Sequence, residues 1–236
     1  MQLIGIIGAM EQEVATLRQQ LLHLETTQLG NCIFYTGELN NCRVVLVQSG
    51  IGKVASAVAT TLMIQHFAPN AVINTGSAGG FDPELSVGDI VISSEVRHHD
   101  VDVTAFGYEL GQVPQMPAAF IPHASLVNAA EQSIASLGFC KTKKGLITTG
   151  DSFICDPERI TLMRQQFPTM LAVEMEGAAI AQSCYMLDTP FVVIRSLSDI
   201  AGKESPQSFE AYLEVAAKNS SAMVKQLLLH LATLSL

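Results

Sequence analysis

A chain of 236 residues, 48% hydrophobic and 15% charged, carries enough apolar side chains for one sizeable core and a subunit interface besides. Its net charge of −9, with bases gathered only at Lys141, Lys143 and Lys144, excludes a nucleic-acid surface, which needs a basic stripe to displace counterions, and points to small-molecule partners. Five cysteines in irregular positions, with no CxxC pair, exclude a disulfide framework and a zinc site and fit a reducing cytoplasm. No linker-like composition divides the chain, so residues 1–236 read as one domain.

The first predicted element is a buried strand, Leu3–Gly8, running into "GIIGAMEQEV". Met10–Leu22 follows with apolar residues at helical spacing, so the segment between is a strand-to-helix turn, where open α/β sheets bind ligands. Glu11 and Glu13 put acids where many nucleotide-binding proteins hold phosphate. The glycines are three apart and fail the dinucleotide pattern GxGxxG. The same stretch lacks the basic start and long apolar core of an export signal. Strands Ile33–Leu39 and Arg43–Ser49, joined by Asn40 and Asn41, read as a hairpin. "SGIGKVAS" then opens helix Lys53–His66, but it is no Walker loop, because Val47 and Val54 occupy the glycine and hydroxyl positions of GxxxxGK[ST].

Strand Ala71–Thr75 ends in the glycine-rich "NTGSAGG" (74–80), and strand Asp89–Val96 follows. In the next segment "HHDVD" offers two imidazoles and two carboxylates. Strand alternation would put at most His98, Asp100 and Asp102 on one side, so a metal centre is not expected. Gly107, Gly111, Pro114 and Pro117 break periodicity over residues 98–122, predicting a long ordered loop of the kind that serves function. Helix Ser125–Leu137, strand Gly145–Thr149 and helix Pro157–Gln166 come next.

"AVEMEGAAIA" places Glu174 and Glu176 at the opening of helix Met175–Met186. Acids favour helix N-termini, and for Glu174 that account suffices; Glu176 is better read as a carboxylate accepting the vicinal hydroxyls of a ribose. Strand Phe191–Leu197 ends in Ser198 and Asp199. An aspartate at the carboxyl end of a buried strand faces the ligand crevice, and an apolar setting there raises its pKa and makes it a general acid; the plainer reading is an N-cap for the next helix. That helix, Ser208–Leu231, is apolar but interrupted by Lys225 and His230, so it docks on the protein and does not cross a membrane. Helices alternating with β-branched runs give an α/β sandwich with some antiparallel pairing.

Taken in order, "GIIGAMEQEV", "SGIGKVAS", "NTGSAGG", "VGDIV", "DVTAFGY", "GDSFI", "VEMEGAAIA" and "RSLSD" resemble the 5′-methylthioadenosine/S-adenosylhomocysteine nucleosidases of the purine and uridine phosphorylase superfamily, nearly end to end. The resemblance implies a single-domain three-layer αβα sandwich around a twisted mixed sheet. It also implies a homodimer and a hydrolysis without metal or cofactor of the bond joining adenine to a 5′-thioribose, 5′-deoxyadenosine being a further expected substrate. Carried over by motif, Glu13 resembles the base that activates water and Asp199 the acid at the adenine imidazole. Ser77 and Ser198 fall among the substrate contacts. Met175 and Glu176 resemble the ribose contacts, and Phe153 and Ile154 the adenine site. Met10, Ile51, Phe209 and Val103 resemble the 5′-alkylthio pocket, with Phe106 and Pro114 reaching in from the neighbouring subunit. Ser152 and Cys155 depart from the pattern at the edge of the adenine site.

The chemistry stands on its own terms. Cleaving an N-glycosidic bond makes an oxocarbenium-like sugar and an anionic base, so one acid must protonate the base and one carboxylate must steer water. A phosphorylase of the same fold would need a cation over the sugar, and the N-terminal turn has no arginine before Arg18. A non-catalytic nucleoside binder gains nothing from burying two acids beside an uncharged ligand.

Overall fold

The computed structural model describes residues 2–138, 140–201 and 205–233. Its strands are β1 (Leu3–Gly8), β2 (Leu22–Leu29), β3 (Cys32–Leu39), β4 (Cys42–Gln48), β5 (Ala71–Gly80), β6 (Ile90–His98), β7 (Thr142–Thr149), β8 (Met170–Glu174) and β9 (Phe191–Ile200). The helices are α1 (Glu11–Arg18), α2 (Lys53–Phe67), α3 (Ala124–Ala135), α4 (Pro157–Gln166), α5 (Gly177–Met186) and α6 (Ser205–Leu231).

The strands form one mixed sheet in the order β2-β3-β4-β1-β5-β8-β7-β6-β9, and β9 pairs back onto β5. Strands β5, β8, β7, β6 and β9 therefore close a ring, from which β1, β4, β3 and β2 extend as an open flap. β1, β4, β5 and β9 run parallel, and their apolar runs are buried on both faces, as parallel strands under helices require. One core packs α1, α3 and α6 on the sheet through Ile6, Leu17, Ile73, Ile194 and Leu227. The second packs α2 and α5 on the other face through Val45, Met63, Val72, Ile180 and Val193. A smaller core under α4 holds Ile160, Met163 and Phe167. This is a three-layer αβα arrangement around a mixed sheet.

The Asn40–Asn41 hairpin has both residues in the left-handed region, at φ 51° and 63°, the geometry of a two-residue type I′ turn. The first helix is shorter than expected: it stops at Arg18, and the chain passes into β2, a strand the pattern did not predict, whose second residue, His23, is left-handed. β2 lies at the sheet edge with most of its residues exposed, so it lacks the alternation that marks a half-buried strand. β8 was also missed, because a five-residue buried run cannot be told from a helix segment by period alone. It moves Glu174 from a helix onto a strand end, and α5 starts at Gly177. β5 continues through "NTGSAGG" to Gly80, and β9 through Asp199 to Ile200. The docked C-terminal helix is present through Leu231; Leu234, Ser235 and Leu236 lie outside the described residues. No helix among the described residues is long and apolar enough to cross a membrane.

Candidate active site

The ends of β1, β5, β8 and β9 meet the starts of α1, α2 and α5 around a pocket of about 220 Å³. Met10, Glu13, Ile51, Ser77 and Phe153 line it, together with Met175, Glu176, Ser198, Asp199 and Phe209. Ile154 lines a small annex shared with Ser152, Phe153, Met175 and Asp199. The Phe153 ring packs edge-on against Phe209, with centroids 5.7 Å apart. Residues expected from distant stretches of sequence thus converge on one cavity.

Glu13 stands in the first turn of α1 and is almost completely buried. Its Oε2 accepts the amides of Ala9 (2.7 Å) and Met10 (3.1 Å); its Oε1 accepts the amide (2.9 Å) and hydroxyl (3.1 Å) of Ser77. The carboxylate therefore caps its own helix while tying β1 to β5, and one side of it faces the pocket. Gly76 is required beside it, since a Cβ there would fall 2.7 Å from Glu13 Oε1 and 2.5 Å from Arg195 Nη1.

Asp199 reaches the pocket through a bulge. Ala78 pairs with Leu197 but Gly79 pairs with Asp199, which leaves Ser198 as the extra residue of β9. Successive strand residues otherwise point to opposite faces; the bulge lets both Ser198 and Asp199 face the cavity. The Ser198 hydroxyl donates to Asp199 Oδ1 at 3.0 Å.

Beside Glu176 the wall is a buried charge cluster that no local pattern in the sequence reveals. Arg195 on β9 is 1% exposed and donates from Nη2 to Asn74 Oδ1 at 2.7 Å, to Glu174 in a short ion pair, and to Glu176 Oε2 at 3.5 Å. Glu174 also accepts the amides of Glu176 (3.0 Å) and Gly177 (2.8 Å) and the Thr149 hydroxyl. The helix-capping role read for it holds, exercised from the end of β8. Glu176 Oε1 accepts the amide of Gly52 at 2.9 Å. Burial pushes the Glu176 carboxyl up to about 7; the Arg195 charge and the Gly52 amide oppose that rise, and Glu174 and Glu13 add to it. The signal for Arg195 was a guanidinium inside the apolar run "FVVIRSLSD", which must find a carboxylate partner once buried.

Three expected residues do not reach this pocket within one chain. Val103 is half-buried, while Phe106 (82% exposed) and Pro114 lie on the surface of the 98–122 loop. "HHDVD" does not gather into a metal centre: His98 Nε2 lies 3.0 Å from Gln182 Oε1, and Asp100 pairs with Lys53 at 2.7 Å. No cluster of metal-ligating side chains occurs among the described residues. All five cysteines are free thiols, and Cys155 is exposed beside the annex.

The sequence signature of the phosphorylase superfamily matches residues 3–229. The 5′-methylthioadenosine/S-adenosylhomocysteine nucleosidase of Pseudoalteromonas translucida is 68% identical over 233 residues, covering 99% of each chain. The crystal structure of the Colwellia psychrerythraea nucleosidase of that name, in complex with adenine, superposes with a TM-score of 0.96 at 59% identity, covering 98% of this chain and 96% of that one. The Neisseria meningitidis nucleosidase in complex with methylthio-immucillin-A gives a TM-score of 0.95 at 47% identity, covering 97% and 99%.

Proposed function

The chain belongs to the phosphorylase superfamily and, within it, to the 5′-methylthioadenosine/S-adenosylhomocysteine nucleosidases, and we propose that it hydrolyses the N-glycosidic bond of these two nucleosides. The products are adenine and the 5′-substituted ribose, and 5′-deoxyadenosine is cleaved in the same way. The observation that carries this reading is the pair of acids, Glu13 in the first turn of α1 and Asp199 near the end of β9, lining one pocket.

In this mechanism the bond between C1′ and adenine breaks with its electrons going to the base. Asp199, the general acid, delivers a proton to the imidazole nitrogen of adenine. The sugar left behind is oxocarbenium-like, and a water held by Glu13 attacks it while Glu13 takes the water's proton. Solvent exchange then restores both carboxyl groups. Glu176 accepts the ribose hydroxyls, and Met175 packs on the sugar. Phe153 stacks on adenine while the backbone of Ile154 pairs with its edge. Met10, Ile51 and Phe209 hold the 5′-alkylthio group, with Val103 and, from a second copy in a cytoplasmic homodimer, Phe106 and Pro114 closing that end.

Water is the nucleophile on electrostatic grounds. The absence of a nearby arginine, argued from the N-terminal turn, needs correction, because Arg195 comes within reach of Glu13 across Gly76. Its charge is nonetheless committed to Glu174 and Glu176, so a phosphate dianion beside the Glu13 carboxylate would find no uncommitted cation among the described residues there. Incubation with methylthioadenosine, with and without phosphate, tests the proposal. Adenine is expected at a rate that phosphate leaves unchanged, and a sugar 1-phosphate seen by phosphorus NMR would overturn it.

A further inference from the structure

We propose that Asp100 is a positioning residue for the nucleosidase reaction, fixing the Gly52–Glu176 contact that prepares Glu176 to accept the ribose hydroxyls. The inference rests on the nucleosidase reading and extends it to a residue outside the pocket. Asp100 joins three segments that the sequence keeps far apart. Its Oδ1 accepts Lys53 Nζ at 2.7 Å, at the start of α2. Its Oδ2 accepts the amide of Asp151 at 3.1 Å, at the start of the loop that carries Phe153 and Ile154. Asp100 itself begins the loop that carries Val103 and Phe106.

Asp151 closes the circuit, because its Oδ1 accepts the amide of Lys53 at 2.8 Å. That carboxylate sits so near Gly52 that a Cβ on the glycine would fall 2.9 Å from it, and Gly52 is held in the left-handed region at φ 95°. The Gly52 amide is thereby aimed at Glu176 Oε1. On the far side, the His99 amide donates to the carbonyl of Thr149 at 2.8 Å, and the His99 ring abuts Gly150, so the residue before Asp100 is tied to the end of β7. Burial pushes the Asp100 carboxyl up, but Lys53, the Asp151 amide and His99 outweigh it and hold it below the ordinary aspartate value. Asp100 therefore stays ionised throughout the neutral range. Both partners keep about a fifth to a quarter of their side-chain surface in water, where an ion pair contributes little stability. Its effect is on the direction of one N–H.

The test compares methylthioadenosine with its 2′-deoxy analogue on the parent protein, Asp100→Asn, Lys53→Met and the double variant, alongside melting temperatures. Each single variant is expected to lower kcat/KM for the ribose substrate by about tenfold, the scale of a small misalignment of a binding group. The 2′-deoxy substrate should change by less than about twofold. The double variant should be no worse than the poorer single one, since both break the same contact. Equal losses on the two substrates, additive losses, or no loss would overturn the inference while leaving the nucleosidase reading intact. If Asp100→Asn does not fold, Lys53→Met decides the matter alone. A parent protein that releases no adenine overturns both readings.

Discussion

The proposed site has two halves made by different means. The strand-end half, with Glu13, Glu174, Glu176 and Arg195, is nearly devoid of solvent exposure, and its carboxylate groups accept hydrogen bonds from several elements. The loop half, residues 98–122, holds Phe106 and Pro114 out into solvent. Charges can be buried only where partners are fixed in advance, so the buried charges belong to the half that one chain completes. An exposed phenyl ring, by contrast, gains from meeting another apolar surface. Under the proposed function, bond cleavage falls to the sheet half and closure over the 5′-group to the loop half.

The largest break in this division is expected from Asp199→Asn, which cannot donate the proton. It should lower kcat by about a thousandfold, within the usual range for loss of a general acid, with nucleoside binding retained in calorimetry. Glu13→Gln should lose turnover on a similar scale and differ from it in stability. The amide would point N–H groups at the buried donors of Ala9, Met10 or Ser77, at a cost of about 1–3 kcal/mol for each group left unsatisfied. Its melting temperature should fall well below that of Asp199→Asn.

Glu176 gives the sheet half a pH signature. With the folded carboxyl raised to about 7 from an ordinary value near 4.5, the native state binds more protons than the unfolded state between those limits. Its stability contribution is therefore full below pH 4.5, is lost as pH rises through about 7, and is level above. Glu176→Gln removes that dependence, so urea midpoints of parent and variant should converge in acid and favour the variant above neutrality. In activity the sign is opposite, because the ionised acceptor is the one that holds hydroxyls. The parent kcat/KM should rise with pH through about 7, and the variant should lack that limb. The smallest effect belongs to the loop: Phe106→Ala should lower kcat/KM for methylthioadenosine by about tenfold, roughly the worth of a buried phenyl contact, with no change in melting temperature. A parent enzyme that is fully active as a monomer in analytical ultracentrifugation would erase the distinction between the halves.

How much of this was legible follows from the range of each signal. β1, β5 and β9 announce themselves as apolar runs, and the acids at their ends, Glu13 and Asp199, are adjacent to them in sequence. The bulge that turns Asp199 inward was not legible, because it is a property of the pairing of β9 with β5. Glu174 was placed on the wrong element for want of β8, whose five residues carry no period. Arg195 was visible as a charge in a buried strand, but its partners Asn74 and Glu174 come from β5 and β8, and no local pattern connects them. Asp100 was weighed as a metal ligand, when its partners lie 47 and 51 residues away.

The ring closed by β9 on β5 leaves β2 as the free edge of the sheet among the described residues. An unpaired row of amides and carbonyls invites a strand from another molecule, and proteins blunt such edges with polar, irregular sequence. Here Glu25, Thr26, Thr27 and Gln28 fill the middle of β2, and its pairing with β3 slips between Leu22 and Glu25. The polar middle and slipped register that concealed β2 from pattern reading are thus the same features that blunt it as an edge.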